Sequence, residues 1–113
     1  MLKLFGQTRS RASRSLWMLE EIGIPYEHMP VQPYTESRSA EYLHINPNGH
    51  IPSLEDDGFV LWESLAINMY LAETYAGAPL WPAGAKDHAP VYQWSLWVAN
   101  EIEPCIVSIA KGL

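Results

Sequence analysis

Cysteine is nearly absent from this chain: Cys105 stands alone among 113 residues. A single thiol excludes an intramolecular disulfide and fits a reducing cytoplasm. Basic residues are scarce too. Seven Lys and Arg against thirteen Asp and Glu leave a net charge of −6, which argues against nucleic acid or an anionic membrane as partner. The arginines gather early, at Arg9, Arg11, Arg14 and Arg38, as a solvated helix start and loop or as an anion-attracting rim. No apolar run approaches the roughly 18 residues needed to span a bilayer. No signal peptide is expected, because Met1-Leu2-Lys3-Leu4-Phe5 is soon followed by polar and basic residues. His28, His44, His50 and His88 show no ligand spacing, so no metal is expected. There is no internal repeat and no low-complexity tract.

What is present reads as one globular, soluble domain with an appended element: 48% of the residues are hydrophobic and 18% charged. Leu2 to Phe5 forms a short strand ended by Gly6. A helix from about Arg11 to Ile22 is expected to bury Leu16, Leu19 and Ile22, at a spacing of three, with Gly23 as its C-cap. Tyr26 to Val31 makes a second strand, and residues 37 to 44 a short, weakly patterned helix. Ile51 to Leu54 and Phe59 to Trp62 form a hairpin around Asp56-Asp57-Gly58. A helix over about Ser64 to Tyr75 follows, with Ala66, Ile67, Tyr70, Leu71 and Thr74 on one face. The order β-α-β-α-β-β-α implies an α/β sandwich in which the first two strands run parallel and the hairpin is antiparallel. Residues 78–87, with prolines, glycines and alanines, read as a linker. A last helix then runs from about Pro90 to Lys111, where Pro104 should kink it or end its first half.

The chemistry concentrates in Asn46-Pro47-Asn48-Gly49-His50-Ile51-Pro52-Ser53-Leu54, with Trp62-Glu63-Ser64-Leu65-Ala66-Ile67 shortly after. A proline at the start of a would-be buried strand lacks a donor and is costly there. A cis Ile51-Pro52 bond is one reason to accept it, since only X-Pro bonds adopt cis cheaply. It would leave the backbone of Ile51 to pair with something other than a strand. The helix opening at Glu63-Ser64 offers a carboxylate, a hydroxyl and free N–H groups at one spot. Such a combination suits a peptide-like ligand carrying an amine and a carboxylate.

These two segments, together with Ser10-Arg11-Ala12-Ser13-Arg14 near the N-terminus, resemble the glutathione-binding half of the glutathione transferase family. The resemblance runs from Met1 to about Gly77 and continues more weakly through Trp94 and Trp97. It implies a thioredoxin-like fold for 1–77, the linker at 78–87, and in 88–113 the start of an all-helical C-terminal domain that is incomplete here.

In a thioredoxin-like fold the reactive residue precedes the first helix, where N–H groups and the helix dipole favour an anion. Here that segment holds no cysteine, so disulfide exchange is excluded. A hydroxyl there can instead donate to the thiolate of bound glutathione and favour its ionised form. Ser10 is the first candidate: it stands four residues before Arg14, the spacing found in serine-type transferases of the family. Serine is also common as a helix N-cap, and Thr8 and Ser13 compete for the role. Arg11 would add positive potential. By the same resemblance the backbone of Ile51, beside Pro52, pairs with the cysteinyl part of glutathione. Glu63 takes its ammonium, Ser64 and its amide take the γ-glutamyl carboxylate, and His50, with Arg38 as a further candidate, reaches the glycine end.

The resemblance implies an enzyme that activates glutathione, its co-substrate, for attack on a small electrophile, with no metal and a role in detoxification. A glutathione-dependent isomerase or peroxidase on the same scaffold stays open. So do a non-catalytic glutathione-fold binding or assembly module and a fragment of a longer transferase. The apolar stripe of the last helix needs a cover, and family members commonly form homodimers.

Overall fold

The computed structural model describes residues 1–78 and 80–112. Pro79, read as part of the linker, and Leu113, the end of the last expected span, lie outside the described residues. The chain divides into two compact units, Met1–Leu80 and Trp81–Leu113.

The first unit is a mixed four-stranded sheet with helices, the thioredoxin-like arrangement. Strand β1 (Leu2–Phe5) lies between β2 (Tyr26–Met29), to which it runs parallel, and β3 (Ser53–Asp56), to which it runs antiparallel; β4 (Phe59–Trp62) extends the sheet beyond β3. Alternation along β1 divides its side chains between two faces. Leu2 and Leu4 join Leu54, with Leu19 of α1 (Ala12–Ile22) and Ile67 and Leu71 of α3 (Ser64–Leu71), to form the buried core. On the other face Lys3 meets its cross-strand partner Glu55 at 3.9 Å. Phe5 meets the ring of Tyr42, in α2 (Ala40–Leu43), edge-on with centroids 6.2 Å apart.

Several boundaries differ from the sequence reading, each for a local reason. Strand β2 stops at Met29 because Pro30 follows and has no N–H to donate. Strand β3 begins at Ser53 rather than Ile51, after Pro52; the Ile51-Pro52 peptide bond is cis. The β3–β4 connection is Asp57-Gly58, both with positive φ (47° and 91°), the two-residue turn whose twist matches a hairpin. The expected helix over 37–44 is a 3₁₀ turn at Glu36–Arg38 followed by α2. Ser39 divides them: it is extended, and its Oγ accepts the Tyr42 N–H at 3.1 Å as the cap of α2. Helix α1 closes at Gly23, whose N–H donates to the Leu19 carbonyl. Its fully covered positions are Ala12, Ser15 and Leu19, while Leu16 and Ile22 pack at the core's margin. Helix α3 continues as a wider π turn over Ala72–Ala76, closed by the Gly77 N–H on the Ala72 carbonyl.

The second unit is one long helix with a change of pitch. Helix α4 (Ala85–Trp97) starts five residues before Pro90, inside the span read as linker. Contacts around its first turns go with the early start: the His88 ring lies 4.6 Å from that of Trp81, and Nε2 is 2.5 Å from the Pro82 carbonyl. A π turn over Val98–Ile102 then leads into α5 (Glu103–Ala110). Pro104 does not end the helix. It falls in the first turn of α5, behind the wide turn in which Glu103 N–H donates to the Val98 carbonyl. Such a bulge makes room for a ring that would clash with the i−4 carbonyl of a regular α-helix. No helix among the described residues is long and apolar enough to cross a membrane.

Candidate functional site

Gly6 ends β1 at a crowded point. With φ at 141°, it adopts a conformation that side chains disfavour. A Cβ there would lie 2.7 Å from the Ala12 Cβ and 3.2 Å from the Ile51 Cβ. The end of β1, the start of α1 and the Ile51-Pro52 segment therefore converge on one residue without a side chain.

From Gly6 the chain turns through Gln7, Thr8 and Arg9 to Ser10. The half-buried Ser10 hydroxyl donates to the Gln7 carbonyl at 2.7 Å and accepts the Ala12 N–H at 3.0 Å. Arg11, not Ser10, is the N-cap of α1, so Ser10 sits one residue outside the helix beside its first free amides. Thr8, Arg11 and Ser13 are exposed; the Ser13 N–H donates to the Ser10 carbonyl.

One turn into α1, Arg14 reaches across to α3, its Nη1 donating to Ser64 Oγ at 3.2 Å. Ser15 Oγ donates to the Ser64 carbonyl at 3.4 Å, and Asn68 Nδ2 to the Arg14 carbonyl at the same distance. Ser64 is buried, whereas Glu63 is exposed. Glu63 also has φ 80° and ψ 110°, a region a side chain enters only when its surroundings impose it, at a cost on the order of 1–3 kcal/mol. The chain is bent at Glu63, one residue before α3 begins.

The loop before β3 is tied down from beneath. The His50 carbonyl accepts the Tyr42 hydroxyl at 2.7 Å and Asn46 Nδ2 at 3.0 Å. Tyr42 also meets Ser53 Oγ at 2.7 Å, and burial pushes its phenol pKa up. Asn46 Oδ1 accepts the Asn48 N–H at 2.9 Å. Arg38 Nε donates to the Gly49 carbonyl at 3.2 Å, and a Cβ on Gly49 would strike the Arg38 side chain at 2.6 Å. Arg38 and His50, both exposed, thus flank the same buried glycine. Among the described residues no backbone hydrogen bond engages Ile51, and no group of three or more His, Cys, Asp or Glu is arranged to hold a metal ion.

Ser10, Ile51, Pro52 and Ser64 thus stand on segments that meet, through Gly6 on one side and the Arg14–Ser64 bond on the other. His50 lies on the loop just before Ile51, and Arg38, at the end of the 3₁₀ turn, reaches that loop through the Gly49 carbonyl. The sequence reading missed Tyr42, which lay in a weakly patterned helix, and it assigned no task to Gln7 or Asn68. Asn46 was visible as part of the Asn-Pro-Asn-Gly run, although nothing in the pattern said which carbonyl it would bind.

The first unit is thus a thioredoxin-like sandwich with no cysteine before α1, a serine at its head and a bent Glu-Ser entry to α3. Residues 1–73 match the family model described as glutathione S-transferase, N-terminal domain. The chain belongs to the glutathione S-transferase family. It is 39% identical over 103 residues to the glutathione S-transferase-like protein gedE of Aspergillus terreus, covering 88% of this chain and 45% of that protein. It is 33% identical over 117 residues to glutathione S-transferase GstB of Escherichia coli, covering 100% and 56%. Among solved structures it resembles the theta class glutathione S-transferase of Xanthomonas axonopodis pv. citri, solved with glutathione bound. There the TM-score is 0.82 at 34% identity, over 88% of this chain and 49% of that one. The chain spans about half the length of the curated relatives it matches.

Proposed function

We propose that this chain binds glutathione and activates its thiol for attack on a small electrophile. The observation that carries the reading is the meeting of the Ser10 segment, Ile51-Pro52 and Ser64 beyond the end of β1. In this reading the Glu63 carboxylate pairs with the ligand ammonium. Ser64, backed by Arg14, takes the γ-glutamyl carboxylate together with the amides at the start of α3. Ile51 lends its N–H and C=O to the cysteinyl unit, a one-residue strand addition. His50 and Arg38 serve the glycine carboxylate.

Chemistry then falls to Ser10. Its hydroxyl exchanges the Gln7 carbonyl for the glutathione sulfur and donates to it, while the amides at the head of α1, with Arg11, hold the site positive. The thiol loses its proton to water, the sulfur bonds to an electrophilic carbon, and the leaving group departs with its electron pair. Holding both reactants together supplies the remainder. Thr8 and Ser13 are exposed and are alternatives to Ser10. We also assign 1–77 as the glutathione-binding domain, 78–87 as a linker and 88–113 as the start of a helical domain, in a cytoplasmic homodimer acting in detoxification.

The test is to measure glutathione binding by calorimetry and conjugation of a generic aryl halide, for wild type and Ser10→Ala. Wild type should bind and conjugate. Ser10→Ala should keep its affinity and lose about one to three orders of magnitude in rate, as when a single donor to a developing anion is removed. An unchanged rate would pass the role to Thr8 or Ser13. Binding without conjugation in wild type would select a binding module, and no binding would overturn the proposal.

A further inference from the structure

The turn that delivers Ser10 is organised by one side chain. Thr8 and Arg9 are exposed, so packing does little to hold their backbone. Gln7 does it with its amide: Nε2 donates to the Arg9 carbonyl at 2.8 Å, and Oε1 accepts the Arg9 N–H at 2.7 Å. Arg9 is thereby paired through both backbone groups, as a residue beside a strand would be. Gln7 is itself anchored, since its N–H donates to the Val31 carbonyl at 3.0 Å. Its own carbonyl accepts the Ser10 hydroxyl at 2.7 Å. The four polar groups of Gln7 thus link the strand end, the turn and the hydroxyl.

We propose that Gln7 is the positioning residue for thiol activation: its amide clamp on Arg9 sets the place and orientation of the Ser10 hydroxyl at the head of α1. This rests on the reading of Ser10 as the thiol-activating group. The physical requirement is strict, because a donor moved by about 1 Å can lose on the order of a hundredfold in rate. An amide carries a donor and an acceptor on adjacent atoms, which the clamp needs. Gln7 has no assigned contact with glutathione, so its effect should pass through Ser10 and leave affinity alone.

Two variants of the full chain test this. Gln7→Met keeps length and volume but removes both clamp bonds; Gln7→Glu keeps the acceptor and sets a carboxylate against the Arg9 carbonyl. Calorimetry should find glutathione affinity within about twofold of wild type for Gln7→Met, since only the sulfur's partner is displaced. The ultraviolet absorbance of bound thiolate at neutral pH should fall by about threefold to tenfold, with kcat falling in parallel. Gln7→Glu should fall at least as far. In a Ser10→Ala background, Gln7→Met should cause no further fall, because two residues acting through one hydroxyl do not add. Hydrogen exchange at the Arg9 amide in unliganded Gln7→Met should quicken by about tenfold or more while the core stays protected, which separates loss of the clamp from loss of the fold.

A thiolate signal that drops in Ser10→Ala but holds in Gln7→Met would overturn the role of Gln7 and leave Ser10 standing. Equal falls with and without Ser10 would do the same, by showing a merely structural effect. A thiolate signal indifferent to Ser10→Ala would overturn the Ser10 assignment and this inference with it.

Discussion

At the scale of single residues, Glu63 combines two properties that rarely occur together: a left-handed backbone and an exposed carboxylate beside the buried Ser64. A glycine would adopt φ 80° without cost, and the exposed side chain adds little to the packing. In the proposed reading its value lies in pairing the carboxylate with the ligand ammonium. Removing a charged hydrogen-bond partner costs on the order of 1.5–3 kcal/mol. Glu63→Ala should thus weaken glutathione binding by about tenfold or more, with an unchanged circular dichroism spectrum. Glu63→Gly should bind as poorly yet melt no lower than Glu63→Ala, because glycine relieves the backbone. Affinity equal to wild type in both would remove the ammonium from this helix start.

At the scale of elements, α3 with its π extension is tied to the hairpin by one carboxylate. Asp56, at the end of β3, accepts the hydroxyls of Tyr70 at 2.6 Å and Tyr75 at 2.5 Å. These bonds hold the Asp56 carboxyl below the usual carboxylate range, the Tyr70 bond contributing most. The hydrogen bond to Asp56 pushes the Tyr75 phenol up to about 12. The signs follow directly. A depressed carboxyl contributes stability above its unfolded value near 4, lost as pH falls through the folded value; a raised phenol contributes below about 10, lost as pH rises toward 12. Thermal melts should therefore hold level from about pH 5 to 8 and decline on both sides, the Met1 ammonium, raised by its bond to Asp57, opening the alkaline limb. Tyr75→Phe should flatten part of the alkaline decline, the rest being shared by the Met1 ammonium and by Tyr26, Tyr42 and Tyr70, all of them also raised. Tyr75 is exposed, so solvent screening keeps the effect small. An alkaline limb identical in the variant would show that the bond carries no linkage.

At the scale of the whole molecule, the long helix of the second unit exposes Trp94, Leu96, Trp97, Val98, Ile102, Ile106 and Ile109. Trp94 and Trp97 stand edge to face, their centroids 5.4 Å apart. Exposed apolar side chains in this number, several at helical spacing along one helix, commonly find a partner. The chain should form a homo-oligomer at micromolar concentration, most simply a dimer, which weakens when Trp94 and Val98 become polar. Light scattering on wild type and on the double variant measures this. A wild type that stays monomeric would overturn the expectation.

Short-range chemistry was legible without coordinates. The short strand Leu2–Phe5 ended by Gly6, the Asp57-Gly58 turn and the Gly23 cap depend on residues adjacent in the chain, so the element order and the α/β class followed from pattern. The candidate residues Ser10, Ile51-Pro52 and Glu63-Ser64 were picked out as motifs through their resemblance to a family, since serine alone is equally common as a helix cap. What the tertiary structure decided is how those runs meet. Arg14 reaches Ser64 across 50 positions of sequence. Tyr42 finds the His50 carbonyl only because α2 folds back under that loop. Gly6 is demanded by its φ of 141° and, further, because Ala12 and Ile51 close on it from two sides. The clamp of Gln7 on Arg9 spans just two residues, yet it needs the turn shape held by the Val31 carbonyl. Local propensity acts over a few residues, whereas a site assembled from three chain segments exists only once burial of Leu4, Leu19, Leu54, Ile67 and Leu71 has drawn those segments together.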